Sequence, residues 1–142
     1  MNDSESLSHS KWDCKYHIVW IPKYRKRALF TGLRSDLGRV LRSLVEQKES
    51  EILEERLRAD HVHILIRLPP KLSVSSIVGF IKGKSAIFVA RNVPGRRRNF
   101  VGESFWARGF YVSLVGLDEE VISNYIKQQE KEDQRLDQLT LL

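Results

Sequence analysis

Two histidines two residues apart, His61 and His63, interrupt the apolar run that continues through Val62, Ile64, Leu65 and Ile66, and Asp60 precedes them. Side chains at i and i+2 of a strand leave the same face. Two imidazoles therefore stand side by side next to a carboxylate. Most such pairs are satisfied by ordinary hydrogen bonds, and a minority bind a divalent metal. Far along the chain, Val121, Tyr125 and Gln129 form a helical row at i, i+4 and i+8, flanked by Ile122 and Ile126. That face is expected to pack on a sheet, yet it carries a phenol and an amide. Taken singly, Tyr125 is a core aromatic with its hydroxyl at the rim, and Gln129 is a frayed helix end.

Taken together, these residues form a candidate site. His61 and His63 supply nitrogens, and the Gln129 amide oxygen is a third donor. Such a mixed set leaves positions open for a substrate oxygen and suits Mg²⁺ or Mn²⁺. A free phenol has a pKa of about 10 and is a poor nucleophile at neutral pH. Beside a metal that polarises a phosphate, Tyr125 could attack phosphorus and form a covalent ester. Asp60 points away from His61 if the strand is regular. It either orients a histidine from behind or begins the strand as a turn residue.

The elements that must position these groups follow from periodicity. Residues 15–21 alternate and are rich in Tyr, Ile, Val and Trp, which predicts a strand ending at Pro22. Leu33, Leu37, Val40, Leu41, Leu44 and Val45 predict an amphipathic helix. Residues 51–58 and 60–68 are expected as strands, the latter stopped by Pro69 and Pro70. Ser73 caps a second helix with a stripe of Val74, Ile77, Val78 and Ile81. Residues 91–98, with Pro94 and Gly95, mark a loop, and 104–115 a fourth strand. Asp118 caps a last helix whose first turn holds Glu119 and Glu120. The predicted fold is α+β: a ferredoxin-like, RRM-like split βαβ with an antiparallel sheet and helices on one face. A C-terminal helix carrying the tyrosine is added. Residues 1–12 are expected as a disordered tail, 13–130 as the single catalytic domain, and 131–142 as an extension that could be helical. That fold hosts many functions and decides none.

Composition narrows the class. The 142 residues suffice for one core, and 42% of them are hydrophobic. The N-terminus lacks the pattern of a signal peptide, and no apolar stretch spans a membrane. Cys14 is the one cysteine, which excludes an internal disulfide and a cysteine zinc site. A cytoplasmic protein is the simplest reading. The net charge of +6 is uneven: residues 118–142 carry seven acids and three bases, a net −4, which leaves +10 for residues 1–117. A basic body points to a polyanionic partner, nucleic acid first.

The ordered motifs resemble the HUH nucleases, specifically the single-tyrosine, IS200-like transposases of the smallest bacterial insertion sequences. The resemblance rests on His17 to Arg25, on Asp60 to His63 and on Pro69 to Ser73. It continues through Gly79 to Ser85, Phe105 to Ser113 and Tyr125 to Gln129. Arg58-Ala59-Asp60 stands where such a chain is expected to read Met-Pro-Asp, which affects a turn and no ligand. The resemblance implies a bacterial or archaeal DNA transposase acting on single-stranded DNA with hairpins near the element ends. It implies Tyr125 as the nucleophile of a 5′-phosphotyrosine intermediate, with His61, His63 and Gln129 holding the metal. It also implies a homodimer, with the tyrosine helix in some relatives completing the partner's site.

Other residues are weighed against simpler roles. Lys23, Tyr24, Arg25, Lys26 and Arg27, and the cluster Arg96, Arg97 and Arg98, are the candidate DNA contacts. Tyr24 and Trp106 are candidate stacking surfaces. Lys82 and Lys84 either touch phosphates or lie on a solvated helix face. Gly83-Lys84-Ser85 looks like the end of a phosphate loop, but position 78 is Val where that pattern needs Gly. Trp20, Phe105 and His17 are expected in the core. The competing functions are a non-catalytic RNA- or DNA-binding module on an RRM-like frame, a relaxase-like nickase and a domesticated transposase. Paired aromatics on the central strands mark the RNA-binding version, and this chain has His61 and His63 there.

Overall fold

A computed structural model describes residues 5–7, 10–23, 29, 31–92 and 105–141. The strands are β1 (Glu5–Leu7), β2 (Ser10–Trp12), β3 (Cys14–Trp20), β4 (Glu51–Leu57), β5 (Val62–Leu68) and β6 (Tyr111–Ser113). The helices are α1 (Thr31–Glu46), α2 (Val74–Asn92) and α3 (Glu119–Leu141). β3 to β6 form an antiparallel sheet in the order β4-β5-β3-β6. β5 and β3 are its central pair, with Val19 opposite His63 and Trp20 opposite Val62.

Alternation along these strands separates two faces. Ile18, Trp20, Val62, Ile64, Ile66 and Leu68 are buried on the first, against Leu33, Leu37 and Leu41 of α1 and Ile77, Val78 and Ile81 of α2. On the second, Val19 and Ile21 pack against Ala107 and against Ile122 and Ile126 of α3. The expected α+β frame with two helices on one face is present, and α3 takes the opposite face. Among the described residues no helix is long and apolar enough to cross a membrane.

The caps lie where the sequence places them. Ser73 Oγ accepts the Ser76 N–H at 3.1 Å, and Asp118 Oδ1 accepts the Val121 N–H at 2.9 Å. Two expectations change. Within the predicted N-terminal tail, β1 and β2 pair antiparallel, Glu5 opposite Trp12. The fourth strand shrinks from 104–115 to three residues, because Gly109 takes a φ of +80° and breaks the extended run. Upstream of that break, among the described residues, a single bridge between Pro22 and Trp106 remains. Trp106 is buried, and its indole N–H donates to Ser85 Oγ at 3.1 Å, so this ring belongs to the core and offers no stacking surface.

The two faces predict unequal responses to mutation. Ile64→Ala removes side-chain volume from the center of the first face and should cost about 2–5 kcal/mol in chemical denaturation. Leu114→Ser, at a residue 74% exposed, should stay within about 0.5 kcal/mol of the parent.

Candidate metal and phosphate site

β5 begins at Val62, so His61 sits in the approach to the strand and His63 within it. The start of the strand decides between the two places open to Asp60. Outside the regular pleat, its carboxylate turns back and lies 3.0 Å from Nδ1 of His61. A carboxylate on Nδ1 fixes the ring and leaves Nε2 as the donor, the usual support for a metal-binding histidine. His63 is buried, and its pKa is lowered. Burial is the main cause, followed by the neighbouring His17, Arg56 and His61. A depressed pKa keeps this imidazole neutral at pH 7, with a lone pair available.

His61 and His63 open into one cavity of about 350 Å³. Arg56 and Arg58 of the β4 side, Asp60, and Glu119, Ile122, Ser123 and Ile126 of α3 complete most of its wall. Two arginines beside two imidazoles suit a phosphate group. Sequence reasoning missed both. Arg56 stands opposite His63 in the β4–β5 register, and the Arg58 N–H donates to the His61 carbonyl. The strand pairing was the signal that could have found them. His17 was also missed: its Nδ1 lies 3.3 Å from Nε2 of His63.

Tyr125 and Gln129 lie on a neighbouring face of α3 and are not part of that cavity wall. Tyr125 packs edge-on against Tyr111, with ring centroids 5.7 Å apart. Among the described residues its buried hydroxyl finds no hydrogen-bond partner. Burial first, and Asp133 second, push its pKa up to about 12. The Gln129 amide donates to the Arg108 carbonyl at 2.7 Å and also bonds the Asp133 side chain. Burial raises the Asp133 pKa, and Lys23 opposes that shift. Lys82 donates to the carbonyls of Ala107 and Gly109, both at 2.8 Å, and burial lowers its pKa to about 8. Its ammonium therefore ties α2 to the segment before β6 rather than facing solvent. Lys84 is exposed on α2.

The structure thus brings His61, His63 and Asp60 together and holds Tyr125 and Gln129 beside them in a separate cluster. Among the described residues no three His, Cys, Asp or Glu side chains already converge on one point. The donor chemistry nevertheless fits a divalent ion, with one imidazole held from behind by Asp60 and the other kept neutral by burial. Tyr24, Arg25, Lys26, Arg27, Arg96, Arg97 and Arg98 lie outside the described residues.

Residues 10–129 match the model of the IS200-like transposase family. The chain is 43% identical over 141 residues to the transposase for insertion sequence element IS200 of Salmonella typhimurium, covering 99% of this chain and 93% of that one. It is 28% identical to the ISDra2 transposase TnpA of Deinococcus radiodurans, covering 83% and 85% of the two chains. Its fold is similar to the crystal structure of a candidate transposase from Deinococcus radiodurans, with a TM-score of 0.75 and 24% identity over 88% of this chain and 97% of that one. A REP-associated tyrosine transposase bound to a REP hairpin is a more distant structural neighbour, with a TM-score of 0.52 and 15% identity over 78% and 61% of the two chains.

The buried phenol gives a titration prediction. Tyr125 should ionise near pH 12 in the folded protein, later than an ordinary tyrosine at pH 10. Ultraviolet difference titration should lose that late step in Tyr125→Phe. Between those two pH values the folded state holds a proton that the unfolded state has released. Tyr125 should therefore make stability fall as pH rises through this window, with no contribution below it. A Tyr125 step at the ordinary pH would contradict the buried placement.

Proposed function

Because the chain belongs to the IS200-like transposase family, we propose that it cleaves and rejoins single-stranded DNA at insertion-sequence ends, with Tyr125 as the nucleophile. The observation that carries this reading is the cavity itself. His61 and His63 open together with Arg56 and Arg58 into one space bordered by the helix that bears Tyr125. A nuclease needs cations around a scissile phosphate and a nucleophile on an element that can reach it.

In the proposed reaction the Tyr125 oxygen attacks phosphorus, and the bond from phosphorus to the 3′ oxygen breaks. A 5′-phosphotyrosine forms, and the proton lost by the phenol balances the one gained by the 3′-hydroxyl. That hydroxyl, at a new junction, reverses the step, and no nucleotide is hydrolysed. Mg²⁺ or Mn²⁺ held by His61, His63 and Gln129 would polarise the phosphate. Arg56 and Arg58 would bind its oxygens. Asp60 keeps the His61 ring oriented. Tyr125 lies outside the wall of the histidine cavity, and burial holds its proton, so in the proposed reaction its docked position is a resting one. Catalysis then requires α3 to present Tyr125 and Gln129 to a histidine cavity in another pose.

A homodimer supplies such a pose if α3 of one subunit serves the cavity of its partner. The sheet edge supports pairing. β6 is a terminal strand of three residues with Tyr111 and Val112 exposed, and Leu114 and Val115 follow at 74% and 71% exposure. An open, apolar sheet edge is a template for another chain. The proposed partner DNA carries hairpins near the element ends, and Lys23, Lys84 and the arginine clusters of the sequence are its candidate contacts. The proposed compartment is the bacterial or archaeal cytoplasm. An RNA-binding module of this fold would offer stacking aromatics on the open sheet face. Here Val19, Ile21 and His63 occupy that face and α3 packs on it.

The test is a denaturing gel of protein incubated with single-stranded oligonucleotides from the element ends and Mn²⁺. A covalent adduct should form, and Tyr125→Phe should abolish it while leaving DNA binding within about twofold, since one hydroxyl without a partner contributes little to affinity. An undiminished adduct in that variant removes Tyr125 as the nucleophile. His61→Ala should reduce metal-dependent cleavage by about 100-fold or more, in line with the loss of a principal electrostatic stabiliser, with an unchanged circular dichroism spectrum. Unfolding of that variant would return His61 to a structural role.

A further inference from the structure

His17 takes no part in the reaction proposed above, yet its ring touches the site. It lies on β3, and the central pairing places it opposite Leu65, one pleat from His63. Its Nδ1 is 3.3 Å from Nε2 of His63, with ring centroids 5.5 Å apart and planes tilted by 50°. Such a contact is either a hydrogen bond, with a proton on one of the two nitrogens, or two lone pairs aimed at a common cation. Metal–imidazole bonds of about 2.0–2.1 Å, with nitrogens this far apart, subtend an angle of about 105° at the ion. That is the bite of two neighbouring ligands on one metal.

We propose that His17 is a ligand of the divalent ion, sharing it with His63 through Nδ1 and Nε2. The inference rests on the reading that His61 and His63 hold a metal. β3 and β5 pair continuously over seven residues, so the bite is fixed by the sheet and is independent of where α3 lies. Gln129 is engaged with the Arg108 carbonyl in this structure, and His17 gives the ion a protein donor that does not wait for that helix. His61, whose Nδ1 is held by Asp60, lines the same cavity as His63, and since the three rings do not already converge, the ion would draw His61 in as the third donor. A set of three imidazoles favours Co²⁺, Ni²⁺ or Zn²⁺ over Mg²⁺.

The experiment uses the full chain and Co²⁺ alone, with no DNA and no activity readout. Proton NMR of the Co²⁺-loaded protein counts the histidine rings shifted by the paramagnetic ion, and titration gives the affinity. Three shifted rings are expected in the parent and two in His17→Phe, which keeps ring bulk and removes the donor. Affinity for Co²⁺ should fall at least about tenfold, the loss that even outer partners of a ligand produce. Two shifted rings in the parent overturn the proposal, and so does unchanged affinity in a folded His17→Phe. Weaker binding with an unchanged ring count also overturns it, because His17 would then act only by positioning His63. Should His17→Phe not fold, the ring count in the parent decides alone. No Co²⁺ binding by the parent would sink the metal reading of His61 and His63 as well, a failure distinct from loss of His17 alone.

Discussion

The constraint on which the rest depends is the two-residue period of β5. Val62, Ile64, Ile66 and Leu68 leave one face of that strand and are almost fully removed from water. His63 leaves the other. Burying each of those aliphatic side chains is worth about 1.5–3 kcal/mol, so the four together fix the register. A slip by one residue would carry His63 into the hydrocarbon core and expose the aliphatic set. The same alternation that stabilises the sheet therefore aims the imidazole. Because β3 and β4 flank β5, the register also decides the neighbours of His63, with Val19 on one side and Arg56 on the other. The basic, imidazole-lined cavity is a consequence of strand pairing around a strand that cannot slip.

The opposite face obeys a different balance. α3 is held there by Ile122 and Ile126 against Val19, Ile21 and Ala107. Its polar row at Tyr125, Gln129 and Asp133 settles against Tyr111 and the Arg108 carbonyl. Asp133 is buried, and Lys23 opposes the pKa rise that burial imposes on it. A buried carboxylate beside a buried phenol raises the cost of ionising either one. The docked helix is thus an arrangement that keeps the phenol protonated, the opposite of what the role proposed for Tyr125 needs.

The frame was legible because its signals are local and repeated. The stripe of α1, the caps Ser73 and Asp118, and the alternation of β3 and β5 each follow from spacing within one segment. The paired histidines were legible for the same reason. What could not be seen depends on which strand lies beside which. His17 was expected in the core because no partner is near it in sequence, and its partner, His63, is 46 residues away. Arg56 and Arg58 lie in a segment whose sequence predicts a strand and nothing more, whereas pairing with β5 makes them walls of the cavity. Asp60 was open between orienting a histidine and beginning the strand, and its contact with His61 Nδ1 matches the first. The fourth strand was overextended because its aromatic composition favours a strand, while the positive φ of Gly109 is a backbone property that composition does not report. The helical row of Tyr125 and Gln129 was read correctly as a face, but periodicity does not say what that face meets.

Stability and the proposed chemistry are therefore divided between the two faces of one sheet. The first buries most of the apolar side chains of the core and joins α1, α2 and the central strands. The second has a cluster of five buried residues, two of them from α3. Two isoleucines at about 1.5–3 kcal/mol each anchor α3 by roughly 3–6 kcal/mol before any polar contact is added. That is much less than the first face supplies, and it falls in the range of a conformational equilibrium rather than of global unfolding. A redocking of α3 would leave the core around Ile64 and Leu37 intact, because neither of these residues belongs to the cluster that holds the helix. With Tyr125 proposed as nucleophile on α3 and the metal proposed at β5, such a movement would shift the phenol relative to the histidines without unfolding the core.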